Sequence, residues 1–88
     1  MKINIIIWDT EASRIADIDK NLHRAALSLG IKIVVTSNSE PPSLFRAGLY
    51  YKVPVLEIEG KYWECKNGTP SVSDCISLLG RIRGCQNA

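Results

Sequence analysis

A strand, a long helix and a second strand follow one another within the first 36 residues, and this order constrains the fold more than any other feature. Residues 2–8 (KINIIIW) are β-branched and apolar almost throughout, which is typical of a strand covered on both faces. Residues 10–29 carry apolar side chains at steps of three and four, which predicts a helix with one buried stripe. Residues 31–36 (IKIVVT) predict a second strand, which should lie parallel to the first after a right-handed crossover.

The second half of the chain predicts shorter elements. A turn-rich connection at residues 37–43 leads into a short helix at 43–51 (SLFRAGLYY). Residues 54–65 (PVLEIEGKYWEC) contain two short strand patterns around a glutamate–glycine pair, which predicts an antiparallel hairpin. Ser71 can cap a last helix, with Asp74 in a capping-box position. The predicted order is therefore β-α-β-α-β-β-α.

Composition indicates a single globular domain. Of the 88 residues, 45% are hydrophobic and 23% are charged, so the chain can bury a core. The net charge of +2 is small and its lysines and arginines are scattered, which argues against a nucleic-acid partner. No apolar run approaches the ~20 residues that cross a bilayer, so we expect no membrane partner and a cytoplasmic location. We place the domain at residues 1–83 and a flexible tail at 84–88.

The cysteines do not predict a metal site or a disulfide framework. Cys65, Cys75 and Cys85 are odd in number and lie ten residues apart, and His23 is the one histidine. Cys75 falls on the apolar stripe of the last helix, where we expect a buried thiol. Cys65 ends the last strand and Cys85 lies in the expected tail, so neither has the helix N-terminus that activates a thiol. We expect no metal and no cofactor.

The order of elements, together with four short motifs, resembles the thioredoxin fold in its glutaredoxin-sized form. The motifs are the Met-Lys-Ile start, Leu29-Gly30-Ile31, the Pro-led strand from Pro54 to Lys61, and Pro70-Ser71-Val72. They are most similar to the small thioredoxin-like "redox-active disulfide protein" group. The resemblance implies an α/β fold with a four-stranded mixed sheet and helices on both faces.

The resemblance also gives Pro54 a role. It implies a cis bond before Pro54, with the backbone of Val53 facing the tip of the first helix. In active relatives that backbone pairs with an extended peptide or with glutathione. The alternative is that Pro54 only begins a strand, where its missing N–H does no harm.

The Cys-x-x-Cys thiols that such enzymes carry at the start of the first helix are missing from this chain. The family places Cys-x-x-Cys where the chain enters the first helix, and Thr10 and Ser13 occupy those positions here. A hydroxyl forms no disulfide and needs a base before it attacks. Asp9 or Thr10 can instead cap the helix, and Glu11 adds a favourable charge. The alternative is a retained binding groove, whose candidate residues are Trp8, Asp9, Thr10, Ser13, Val53 and Pro54.

Three functions remain open on these grounds. The first is a redox-inactive module that binds a protein or peptide, either at the groove or through Trp63 on an edge strand, where an edge-strand dimer is an option. The second is a thiol–disulfide oxidoreductase relative whose thiol site is lost or moved to Cys65 or Cys85. The third is a binder of glutathione or a similar anion. The sequence favours the first and predicts no catalytic residue.

Overall fold

The computed structural model describes residues 2–66 and 68–86, and its elements follow the predicted order. In chain order they are β1 (Lys2–Trp8), α1 (Ala12–Leu29), β2 (Lys32–Asn38), α2 (Pro41–Arg46), a 3-10 turn (Tyr50–Lys52), β3 (Val55–Ile58), β4 (Lys61–Glu64) and α3 (Val72–Gln86). The α/β class predicted from the sequence is confirmed. The 3-10 turn is an additional element, and it leads directly into the segment that precedes β3.

The four strands form one mixed sheet in the order β2-β1-β3-β4. β1 and β2 are parallel over their full length, as the helical crossover predicts. β3 runs antiparallel to β1, with Trp8 opposite Val55, and β4 completes the hairpin. Glu59 and Gly60 both have positive φ, 52° and 81°, which is the backbone of a two-residue hairpin turn. The hairpin prediction is therefore confirmed, and β2 and β4 are the two edges.

The main core lies on one face of the sheet. Side chains alternate along β1, so Ile3, Ile5 and Ile7 are buried together against α1 and α3. Lys2 and Asn4 point the other way and are exposed. The prediction that β1 is covered on both faces is therefore wrong over its first half. The two long helices, α1 and α3, both pack on one face of the sheet. The opposite face is covered only where the short α2 reaches it, and the run of isoleucines in β1 does not predict that extent.

A smaller apolar cluster covers one end of the opposite face. Leu44, Leu49 and Val55 are buried there, with Trp8, Tyr50 and Val53 packed at the margin. Because α2 and the 3-10 turn supply this cover, helices do lie on both faces, but unequally. This small cluster holds the segment before β3 against the end of β1.

The helix ends show where local sequence signals were sufficient. α1 stops at Gly30, whose φ of 68° lets its N–H reach Leu27, as predicted for a C-terminal glycine. At the start of α3, Ser71 and Asp74 exchange two hydrogen bonds of 3.1 Å, so the predicted capping box is confirmed. α3 runs to Gln86, three residues past the predicted end, because no proline interrupts it. Residues 87 and 88 of the predicted tail lie outside the described residues.

Among the helices of the described residues, none has both the length and the apolar character required to span a bilayer.

Candidate functional site

The start of α1 and the segment before β3 meet at one end of the sheet. Trp8, the last residue of β1, lies opposite Val55, the first residue of β3. Since these strands are antiparallel, the chain leaving β1 at Asp9 and Thr10 runs beside the chain entering β3 at Val53 and Pro54. The two halves of the predicted groove therefore lie at the same end of the sheet.

Asp9 is the most constrained residue at this end. Its side chain is 0% exposed, and its Oδ1 accepts hydrogen bonds from the N–H groups of Thr10 (2.7 Å) and Glu11 (3.2 Å). Arg14 completes the pairing, with Nε 2.5 Å from Oδ2 and Nη2 2.6 Å from Oδ1. A buried carboxylate requires such partners, because desolvation of an unpaired charge is costly. Asp9 therefore anchors the entry to α1 as an internal ion pair.

This arrangement differs in two ways from the capping predicted at the start of the helix. The N-cap residue is Glu11, and its side chain makes no cap hydrogen bond. The prediction that Asp9 or Thr10 caps the helix is therefore wrong, because Asp9 instead binds the two amides that precede it. The sequence analysis did not identify Arg14, although an arginine in the first turn of a helix, shortly after an aspartate that follows a strand, is a signal for such a pair. The hydrogen bond to Asp9 is the main cause of a raised pKa for Arg14.

Thr10 and Ser13 are both exposed at the helix start. A hydroxyl nucleophile needs a base that removes its proton. The neighbouring Arg14 guanidinium has no acceptor atom, and the nearby Asp9 carboxylate is already filled by four hydrogen bonds. These positions therefore offer surface hydroxyls without the groups that would make them reactive.

Val53 presents its backbone in an extended conformation. Its φ of −63° and ψ of 147° leave the helical region, and the following Val53–Pro54 bond is cis. On either side the backbone is paired: Lys52 N–H donates to Leu49, and the carbonyl of Pro54 accepts from Cys65 at 3.0 Å. Within residues 2–66 and 68–86, the N–H and C=O of Val53 itself make no such bond. This residue is a gap in the backbone pairing at a half-buried position.

Three aromatic rings lie beside this gap in the chain. Phe45 stacks on Tyr50 with 4.1 Å between ring centroids, and Tyr51 meets Tyr50 edge-on at 5.1 Å. Phe45 is 54% exposed and Tyr51 is 87% exposed. Phe45 therefore lies largely outside the small apolar cluster, which Leu44 and Leu49 fill instead. The three rings form an exposed aromatic cluster, Phe45–Tyr50–Tyr51.

A shallow groove leads from Val53 along β4. One part, of about 280 Å³, is lined by Tyr51, Lys52, Val53, Glu64, Cys65 and Lys66. A second part, of about 500 Å³, shares Lys52, Glu64 and Lys66 and continues to Gly48, Val55 and Tyr62. Lys52 Nζ lies 3.7 Å from Glu64 Oε1 and bridges the two parts. No local sequence signal predicts this β4 groove, because its walls come from separate parts of the chain.

The described thiols are not activated. Cys75 is buried in the main core, as predicted, and Cys65 is half-buried. Burial is the largest cause that raises the pKa of each thiol to about 11. Both thiols therefore remain protonated at neutral pH, whereas the thiolate is the reactive form. The structure does not describe the side chain of Cys85, so the exposure predicted for this thiol stays a prediction.

Trp63 faces the core side of β4 instead of the solvent. It lies opposite Leu56 and packs against the main core. The Arg81 guanidinium lies over its ring, 5.7 Å from the centroid. Tyr62 is the exposed aromatic residue of this strand. The described residues also contain no group of three or more His, Cys, Asp or Glu side chains suited to a metal ion.

No protein-family model, no curated protein and no solved structure matches this chain.

Proposed function

We propose that this chain is a thioredoxin-like module that binds an extended peptide segment and has no thiol–disulfide activity. The supporting observation is the backbone of Val53, which is extended, lies between two paired stretches and has no backbone hydrogen-bond partner in the part of the chain that the structure describes. A partner in β conformation pairs with its N–H and C=O. The aromatic cluster and the β4 groove then contact the side chains of the partner.

The backbone pairing alone is too weak to hold a partner. A hydrogen bond formed in water contributes about 0.5–1.5 kcal/mol, so two bonds to Val53 supply about 1–3 kcal/mol. Tyrosine is one of the residue types enriched among the few residues that dominate binding energy, and Tyr51 is largely exposed beside Val53. We therefore expect binding of about micromolar affinity, with the rings of the aromatic cluster determining which peptides bind.

The competing functions have less support at this site. A dithiol enzyme requires thiolates, and a thiol with a pKa of about 11 is about one part in 10⁴ thiolate at pH 7. An anion binder requires positive potential at the start of α1. Here the Asp9 and Glu11 carboxylates both lie at that end of the helix, and Arg14, the cation beside them, is paired with both.

The test is selection of peptides from a displayed library of random extended sequences, followed by amide chemical-shift mapping. We expect selected peptides to shift the signals of Val53, Tyr51 and Lys66. Tyr51→Ala should weaken binding about tenfold or more, since it removes a ring that contributes little to the core. Leu27→Ala, which removes an 83% exposed apolar side chain beside the opposite edge of the sheet, is the control and should leave peptide affinity unchanged.

A backbone replacement tests the central contact directly. The 88-residue chain is short enough for chemical synthesis with α-hydroxyvaline at position 53, which replaces the N–H by an ester oxygen. The control is the same N–H to ester-oxygen exchange at Ser73, made with the α-hydroxy analogue of serine. The N–H of Ser73 lies in the first turn of α3, where backbone N–H groups have no partner within the helix. If peptide affinity is equal in the two proteins, Val53 is not the pairing residue and the proposed mode of binding is wrong.

A further inference from the structure

The two edges of the sheet differ in how well they are protected against pairing. An edge strand presents unpaired N–H and C=O groups to any other strand, and proteins usually block such edges with charges, turns or covering segments. β4 is four residues long, begins with Lys61 and ends with Glu64, which pairs with Lys52. Trp63 is turned inward under Arg81. The β4 edge is thus short, charged and partly covered.

β2 lacks these protections. It is seven residues long, contains no proline, and carries one charge, Lys32, at its first position. Ile33, Val34 and Val35 are only half-buried. Beside the strand, Leu27 is 83% exposed and borders an apolar hollow of about 350 Å³. A long apolar edge of this kind is a pairing surface.

We propose that β2 pairs antiparallel with β2 of a second copy of this chain, so that two four-stranded sheets join into one of eight strands. An antiparallel pair of identical strands has two-fold symmetry, so each contact occurs twice. With Val35 opposite its own counterpart, Val34 faces Thr36 and Lys32 faces Asn38. All cross-strand pairs on this edge are then free of like charges.

Charge complementarity favours a second copy over an unrelated strand. Glu40 is exposed two residues after the end of β2, and its N–H is fixed by the Asn38 side chain at 3.1 Å. Each β2 therefore has a positive charge at its first residue and a negative charge just beyond its last. Antiparallel pairing brings Lys32 of each copy near Glu40 of the other, at both ends of the pair. Parallel pairing would instead bring the two lysines together.

The pairing is independent of the proposed peptide site, since β2 and β4 lie at opposite edges of the sheet. One strand and the flanking Leu27 make a small interface, for which we expect a dissociation constant on the order of 10–100 μM. A substitution that abolishes peptide binding should therefore leave self-association intact, and the reverse should also hold.

The test is sedimentation equilibrium of the full chain under reducing conditions, which exclude dimers linked by cysteine. The unmodified chain should associate to a dimer between about 1 μM and 1 mM, the range around the expected dissociation constant. Val34→Lys puts like charges near the two-fold axis on the open face and should weaken association at least about tenfold. Tyr62→Lys, on the β4 edge, is the matched control and should leave association unchanged.

A charge reversal keeps the test valid if Val34→Lys disturbs the fold. Lys32→Glu should weaken the dimer several-fold, about 2- to 30-fold for two partly screened ion pairs. The double variant Lys32→Glu/Glu40→Lys should restore it, because the complementary charges are exchanged. A monomer at ~1 mM, a dimer lost in Tyr62→Lys but not in Val34→Lys, or a double variant no better than the single one would each overturn the proposal.

Discussion

Removal of the Arg14 guanidinium is the sharpest test of how the candidate site is built. Asp9 is fully buried and accepts four hydrogen bonds, two of them from Arg14. Arg14→Met keeps much of the aliphatic side-chain volume and leaves the carboxylate with two backbone amides. Breaking a buried ion pair costs about 3–5 kcal/mol. Because the Arg14 side chain is 27% exposed and water can replace part of it, we expect a loss of about 2–4 kcal/mol.

That loss is large for a domain of this size. An 88-residue domain typically has about 4–13 kcal/mol of unfolding free energy. The expected loss corresponds to a fall in Tm of at least about 8 °C. Guanidinium unfolding followed by tryptophan fluorescence measures it, and Arg24→Met, at an exposed position on the same helix, is the matched control.

A double-mutant cycle separates the pair from the two single side chains. Asp9→Asn removes the buried charge, so Arg14→Met should cost less in that background, with a coupling energy of at least about 1 kcal/mol. If Arg14→Met and Arg24→Met lose equal stability, or if the two changes at Asp9 and Arg14 are additive, the ion pair does not hold the start of α1.

Two other predictions concern sulfur chemistry. Because burial raises the pKa of Cys65 to about 11, its alkylation rate, followed by peptide mass spectrometry, should rise about tenfold per pH unit up to that pH; a plateau near pH 8–9 would contradict the buried environment. Thr10→Cys/Ser13→Cys, made in a background with the three native cysteines replaced by alanine, should form an intramolecular disulfide under mild oxidation. Two free thiols that persist in a thiol titration would show that these positions do not correspond to the Cys-x-x-Cys spacing.

Most of the fold was predictable because its signals are local. The alternation of helix and strand periods predicts β1, α1 and β2, and the capping box predicts the start of α3. The cover over β1 was not predictable in the same way. An unbroken apolar run is compatible with one or two covered faces, and the choice depends on where α2 packs. The exposure of Phe45 was not predictable for a related reason, since Leu44 and Leu49 fill the small cluster and leave the ring outside.

The proximity of the two segments of the candidate site was predictable, but the hydrogen bonding of their residues was not. The resemblance directs attention to Thr10, Ser13 and Val53, and the strand register brings these segments to the same end of the sheet. Whether the Val53 backbone is paired depends on tertiary hydrogen bonds, for which the sequence has no local signal. The β4 groove could not be predicted for the same reason, since it forms only when separate parts of the chain come together.

The Asp9–Arg14 pair and the Val53 backbone lie at the same end of the sheet. A thiol site at the start of α1 needs amides and positive potential to stabilise a thiolate. Here the two amides that precede α1 bind a carboxylate from inside the chain, and the arginine neutralises that carboxylate. The entry to α1 is therefore fixed without any ligand, whereas the N–H and C=O of Val53 in the neighbouring segment have no backbone partner among residues 2–66 and 68–86. Of the two sides of the candidate groove, the Val53 side is thus the one that gains hydrogen bonds when a partner binds.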